Sequence, residues 1–218
     1  MQQTSELYKR LVSVVDNTVD YTTETSLVIG TGEPDNGYKH DMLMTLKTTN
    51  DVLGSGSIGK VAVGEIDIEM RIPDDAIPYQ AVLRPYIRVV KGTEKSEWLP
   101  KGEFLLDTRK PVRRTSDPGY IKLHGYDRLI TAQQEYKPSG MSWPATDIQV
   151  VSNIAYQLGI VVDPRTTAII NRGYSIPEPL GYACEEILGY IAAMYGGSFC
   201  IGDNRMLLLV QLKGGGSA

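Results

Sequence analysis

Hydrophobic and polar residues alternate through the middle of the chain. Toward its end the apolar positions recur every three to four residues instead. In 61-VAVGEIDIEMRI-72, Ile66, Ile68, Met70 and Ile72 alternate with Glu65, Asp67, Glu69 and Arg71. That two-residue period marks a strand with one wet face. Val61 and Val63 keep the period in the opposite phase, and the switch at Gly64 predicts a β-bulge bending one continuous strand. After a turn at 73-PDDAIP-78, the run 81-AVLRPYIRVV-90 puts Leu83, Ile87 and Val89 on one face and Arg84, Tyr86 and Arg88 on the other. Pro85 has no N–H for a ladder, so this strand is predicted to be an edge or bulged strand. Strands at 103–109 and 120–124 follow turns at 100–102 and 117-DPG-119, and a further strand is expected near 26–29. Residues 5–15 read as a short helix presenting Leu7, Leu11 and Val14. Short strands and turns at this spacing predict a barrel or sandwich.

From about residue 127 the period changes. Residues 127–136 read as a helix with Asp127 as N-cap. In 147-DIQVVSNIAYQLG-159 the apolar stripe is Ile148, Val151, Ala155 and Leu158, Thr146 and Gln149 have capping-box spacing, and Gly159 suits the stop. A second helix at 183–197 buries Ile187, Leu188, Ile191 and Tyr195. A hairpin follows, 198–201 to 206–212, turning at 202-GDNR-205 with Gly and Asn at positive φ. The predicted class is therefore α+β. An antiparallel β-barrel with bulges and a short N-terminal helix spans 1–136, and 137–145 links it to a helix–hairpin domain over 146–213. The last five residues, 214-GGGSA-218, form a flexible tail.

Composition adds a lean toward β structure and assembly, with 13 Tyr against 2 Phe. The net charge of −4 excludes a general polyphosphate binder. Residues 84–114 nevertheless hold nine Lys or Arg against four Asp or Glu. Segregated charge of this kind suits complementary faces between subunits, and solvated strand faces account for it equally. Cys184 and Cys200 are too few for a disulfide framework and are expected to be reduced and buried. Neither a secretory h-region nor a run of membrane-spanning length is present, which points to synthesis in a cytoplasm and to no membrane partner.

No constellation for chemistry emerges. His40 and His124 lack a third ligand at metal spacing. Glu185 and Glu186 sit in a first helical turn, where negative charge complements the dipole, and Asp74–Asp75 is turn chemistry. The near phosphate loop 54-GSGSIGK-60 puts Val61 where a hydroxyl belongs and precedes a strand. Arg109, Lys110, Arg113 and Arg114 form a basic cluster without interleaved aromatics, so no specific nucleic acid is expected. The expectation is a protein that is not an enzyme and has no cofactor and no metal.

Several stretches together resemble one family: 5-SELYKRL-11, 65-EIDIEMRIPDDAIP-78, 84-RPYIRV-89, 97-EWLPKGEFLLDTR-109, 121-IKLHGYDRL-129, 143-WPATDIQVV-151, 187-ILGYIAAMYGGSF-199 and 206-MLLLV-210. Their order is similar to that in the N-terminal part of baseplate hub or tail-tip hub proteins. These occur in bacteriophages and phage-tail-like, bacteriocin-like particles of Gram-positive hosts. The resemblance implies a tube-like barrel with an appended α+β domain, in a homotrimeric ring that joins the tail tube to a spike or tip. Its partners would be copies of itself, the tail tube protein, the spike or tip protein and baseplate neighbours. The chain would be made in the host cytoplasm and reside in the virion. On this reading Trp98, Arg109, Lys110, Arg113 and Arg114 form an inter-subunit or tube-facing rim. The competing reading is a carbohydrate-binding β module for host-surface attachment, with Trp98 and Trp143 as stacking surfaces.

Overall fold

In a computed structural model the chain passes three times between two units, residues 1–48 with 65–125 and residues 49–64 with 126–218. The structure describes residues 4–13, 22–52, 58–71, 77–114 and 117–212, with the side chains at 13, 113, 114, 117 and 118 outside that description. Val14, Ile72, most of the 73–78 turn and the Gly-rich tail also lie outside it.

The first unit opens with α1 (Glu6–Ser13), β1 (Thr22–Ile29), a 3-10 turn at Pro34–Asn36 and β2 (Leu43–Thr49). The chain then supplies β3 (Val61–Ala62) to the second unit and returns with β4 (Glu65–Met70) and β5 (Val82–Lys91). Next come β6 (Glu94–Lys95), β7 (Leu99–Pro100), β8 (Phe104–Arg114) and β9 (Asp117–Tyr126). The strand order is β1-β5-β8-β9-β4-β2, with β6 and β7 also on β5. Alternation sets the faces as expected. Ile66, Ile68 and Met70 are buried with Leu27, Leu83, Phe104, Ile121 and Leu123. On the wet face Asp67 meets His124 at 2.8 Å and Glu69 meets Lys122, cross-strand pairs of β4 and β9. Gly125 has no room for a side chain, because a Cβ there would lie 2.5 Å from the Leu105 carbonyl oxygen.

Pro85 is not on an edge strand, but the register slips by one residue beside it, with Arg84 and Pro85 facing Lys101, Gly102 and Glu103, as at a bulge. β5 is flanked by β1 on one side and by β8 and β7 on the other. β8 partners Val82 and Leu83, β7 partners Tyr86 and Ile87, and Pro85 falls between the two. Its carbonyl accepts from Lys101 N–H at 2.9 Å, so its missing N–H faces this gap, where no ladder bond is lost. The 117-DPG-119 segment likewise lies within β9 and is not a turn.

The second unit contains a 3-10 helix at Arg128–Gln133, β10 (Ala145–Thr146), α2 (Asp147–Leu158), β11 (Val161–Val162), α3 (Pro164–Ile169) and β12 (Ser175–Ile176). It ends with α4 (Cys184–Met194), β13 (Gly197–Ile201) and β14 (Met206–Gln211). Its sheet runs β11-β14-β13-β3, with β3 parallel to β13. The phase switch at Gly64 is therefore a change of sheet, and the expected single bulged strand is two strands in two units. The expected boundary at 137–145 moves as well. The units divide after Gly125, and the 139–144 loop belongs wholly to the second.

α2 has both halves of its capping box and ends at Gly159 with φ of 67°. Its buried stripe is Asp147, Val150, Val151, Ile154, Ala155 and Leu158, turned slightly from the expected one so that Ile148 is only half-buried. The expected helix at 127–136 is a shorter 3-10 helix at Arg128–Gln133, with Asp127 as its N-cap. Its end is captured by pairing, with Cys184 N–H on the Gln134 carbonyl and Tyr136 N–H on the Tyr182 carbonyl, both at 2.9 Å. The positive φ in the 202–205 turn belongs to Arg205, at 67°, and not to Asn204. The Asn204 amide is committed elsewhere, donating to Asp163 at 2.8 Å.

Asp147 is fully buried and accepts the Tyr195 hydroxyl at 2.5 Å and the Ile148 N–H at 2.8 Å. Burial, and then this hydrogen bond, push the Tyr195 pKa up. Tyr195→Phe removes one of the two partners of a buried carboxylate. The expected loss is about 2 kcal/mol, read from the urea midpoint.

Candidate assembly surface

The first unit's sheet ends in two edges, β1 and β2. Leu27 N–H bonds to the Tyr38 carbonyl at 2.9 Å, and Tyr38 N–H returns to Leu27 at 2.8 Å. Odd-numbered residues of β1 therefore point their backbone groups away from β5, whereas Gly30 N–H faces β5 through the Val82 carbonyl. By the same alternation Thr23 and Thr25 turn their N–H and C=O groups outward. On the opposite side the Met42 carbonyl accepts from Arg71, so Thr45 and Lys47 face away from β4. Between these edges lies an open slot of about 450 Å³, lined by residues 22–25 and 43–46 with His40. Among the described residues no ladder joins β2 to β1, and the outer edge of β1 is bridged once, at Leu27, by Tyr38 of the segment before β2.

The basic stretch resolves into separate sites. Arg88 is 9% exposed. It bonds Glu24 at 2.5 Å and Asp35 at 3.1 Å, and it lies 4.1 Å above the Trp98 ring. The Trp98 indole N–H donates to Asp35 at 2.9 Å, the largest of the contacts that hold the Asp35 carboxyl below its ordinary pKa. Burial raises the Glu24 pKa, but Arg88 and Lys95 outweigh it and the net shift is downward. Trp98 thus spends one ring face and its only donor within the chain. Arg109 stacks at 4.2 Å over Tyr79 and donates to the Ile77 carbonyl. Lys110 is exposed on β8. Arg113 and Arg114 lie in β8, with side chains outside the described residues. The partners described for Trp98, Arg88 and Asp35, differ from those described for Arg109, Tyr79 and Ile77. Three of the four acidic members of the stretch are engaged too, Glu97 by Ser5, Glu94 by Arg10 and Glu103 by Arg84.

In the second unit, Asp127 is 3% exposed and accepts from Gly64 N–H at 2.7 Å and Leu129 N–H at 2.9 Å. Its own N–H donates to the Gly64 carbonyl at 2.9 Å, so the strand segment ending at Gly64 is clasped reciprocally. Burial lifts the carboxyl to about 6, with the two backbone bonds pulling the other way. Cys184 and Cys200 are buried free thiols, raised by burial to about 11 and about 12, values far from those of reactive cysteines. Among the described residues no group of three or more His, Cys, Asp or Glu is placed to hold a metal ion. Lys60 leads into β3, so 54–60 does not open a helix as a phosphate loop must. Among the described residues no helix is long and apolar enough to cross a membrane.

No protein-family model matches the chain, and no curated protein matches it in sequence. Solved structures do resemble it. A 43 kDa tail protein of prophage MuSo2 from Shewanella oneidensis superposes with a TM-score of 0.52 at 15% identity, covering 87% of this chain and 56% of that one. The fold is one that a prophage tail protein has. A tail protein from Neisseria meningitidis MC58 gives 0.48 at 11% identity, over 87% of this chain and 51% of the other. The prophage tail protein gp18 from Listeria monocytogenes EGD-e gives 0.41 at 11% identity, over 84% and 50%. The chain spans about half the length of these structures.

Slot geometry was not visible in the sequence, because an edge is defined by the absence of a partner from elsewhere in the chain. The alternating Thr22–Glu24 stretch at the start of β1 carried no signal beyond β propensity.

Proposed function

We propose that this chain is a structural subunit of a phage-type tail, a baseplate or tail-tip hub component that joins the tail tube to the spike or tip. It acts by assembly and not by catalysis. The observation that carries the reading is that, among the described residues, β1 beyond its bridge at Leu27 and the outer side of β2 have no ladder partner, in a sheet whose fold a prophage tail protein shares. Exposed strand edges invite pairing with another chain, and a ring of subunits removes them. In this reading the open sheet becomes a tube-like barrel only on assembly, with three copies meeting edge to edge below the tube protein. Lys110 and its neighbours Arg109, Arg113 and Arg114 line the rim toward an adjoining subunit. The assembled particle belongs to a Gram-positive host.

Trp98 is a poor stacking platform for the competing carbohydrate reading, since Arg88 covers one of its faces.

The test is the solution mass of the purified chain by size-exclusion chromatography with light scattering. Three times the 24.0 kDa chain mass is expected, and a monomer at all concentrations contradicts self-assembly. Lys110→Glu is expected to weaken the oligomer at unchanged thermal midpoint, because the side chain is exposed and the strand retains its ladder. An oligomer of unchanged strength removes Lys110 from the rim.

A further inference from the structure

The second unit holds a pocket of its own. It holds about 660 Å³ between the outer face of α2 and the 139–144 loop. Ile148, Ser152 and Tyr156 recur every four residues along one ridge of the helix, with Gln149 and Asn153 beside them. Met141, Ser142 and Pro144 form the facing wall.

The loop is fixed in place by side-chain amides. Asn153 donates to the Ser139 carbonyl at 3.0 Å, and its amide oxygen accepts from the Tyr136 hydroxyl at 2.8 Å. Gln157 accepts from Lys137 N–H and donates to the Glu135 carbonyl, both at 2.9 Å. A pocket held this way is formed before any ligand arrives, which lowers the ordering cost of binding.

The chemistry of the walls is narrow. No Lys, Arg, Asp or Glu is among the lining residues, so neither a phosphate nor a cation finds a counter-charge. Three serine hydroxyls are present. Gln149 spends its carbonyl oxygen on Thr146 and keeps its NH₂ for a ligand. Met141, Pro144 and Ile148 add apolar surface. Tyr156 is 80% exposed, so core packing does not account for its ring. An aromatic face carries partial negative charge and attracts the polarised C–H groups of a flat apolar ligand face. Hydroxyl and amide groups interleaved with apolar surface and one open aromatic match a molecule that is uncharged, rich in hydroxyls and amphipathic.

We propose that this pocket binds a neutral saccharide, such as one segment of a cell-surface glycan. A tail subunit with this site would touch its host through the second unit while the first unit assembles. The site stands on the pocket's own chemistry and survives if the assembly reading fails.

The test is titration of the isotope-labelled full chain, followed by backbone amide NMR. The probes are a β-1,4-linked N-acetylglucosamine oligomer, a maltooligosaccharide, a neutral proline-rich peptide and inorganic phosphate. At least one saccharide is expected to shift the amides of Met141, Ser142, Ser152 and Tyr156 at millimolar concentration or below. Tyr156→Ala is expected to weaken that binding at least tenfold while leaving the remaining spectrum unchanged. Its high exposure makes misfolding no escape, and Ser152→Leu, which fills the ridge, is a second variant with the same expectation. Saccharides that shift nothing, shifts indifferent to both variants, or shifts produced only by the peptide or by phosphate would each overturn the proposal.

Discussion

Thr25→Pro is expected to leave the chain folded and to stop it from assembling. The alternation set by the Leu27–Tyr38 bridge turns the Thr25 N–H away from β5, so proline removes no bond of the existing ladder. The preceding residue, Glu24, is already extended within β1, the conformation that proline favours in its predecessor. The ring's preferred φ differs from that of a regular strand, and this costs the fold about 1 kcal/mol. What is lost is a donor on the free edge, and the ring blocks approach of a further strand. Light scattering is then expected to show a monomer where the parent chain is an oligomer, with circular dichroism unchanged. Thr23→Pro, on the same edge, should behave alike. Ser26→Pro, whose N–H faces β5, should instead unfold the sheet. Oligomers of Thr25→Pro and Thr23→Pro as stable as the parent would show that assembly does not use this edge.

Asp127→Ala is expected to destabilise the second unit by about 2–4 kcal/mol, because it strands the buried N–H groups of Gly64 and Leu129 together. The carboxylate is nevertheless costly to bury, and the pH dependence separates the two effects. Its folded pKa of about 6 lies above the ordinary 3.8. Between these values the folded chain binds a proton that the unfolded chain does not. Its contribution is fully present below the unfolded value and is lost as pH rises through about 6. The total is about 3 kcal/mol. Asp127→Asn keeps an oxygen acceptor without the charge, so it should cost less than alanine at neutral pH. The stability of the Asp127→Asn variant relative to the parent should increase as pH rises from 4 to 7. Denaturation midpoints taken across that window check it. A difference independent of pH would mean that the carboxyl is not raised.

Much of the second unit was legible because its signals are local. Thr146, Gln149 and Gly159 delimit α2 by capping chemistry, and the apolar spacing of Ile187, Leu188 and Ile191 sets the buried face of α4. Strand faces were legible for the same reason, from the period of two in β4. Long-range choices left no such mark. A phase switch at Gly64 reads the same whether the strand bends or the chain changes sheet, and only the Asp127 clasp and pairing with β13 decide it. The segment that leaves the 128–133 helix pairs with Tyr182 and Cys184, some fifty residues on, and no local signal announces that pairing. The basic stretch suggested one surface, yet Arg88 and Arg109 bind partners from Glu24 to Tyr79. Trp98, expected on a rim, closes a network with Asp35 that no spacing rule connects to it.

The proposed tail role places the chain in an assembled particle. Gold-labelled antibody against it, applied to purified tail particles and viewed by electron microscopy, tests that most directly. Label at the distal end of the tail tube is predicted. Unlabelled particles, with the chain found only free in the lysate, would contradict the account.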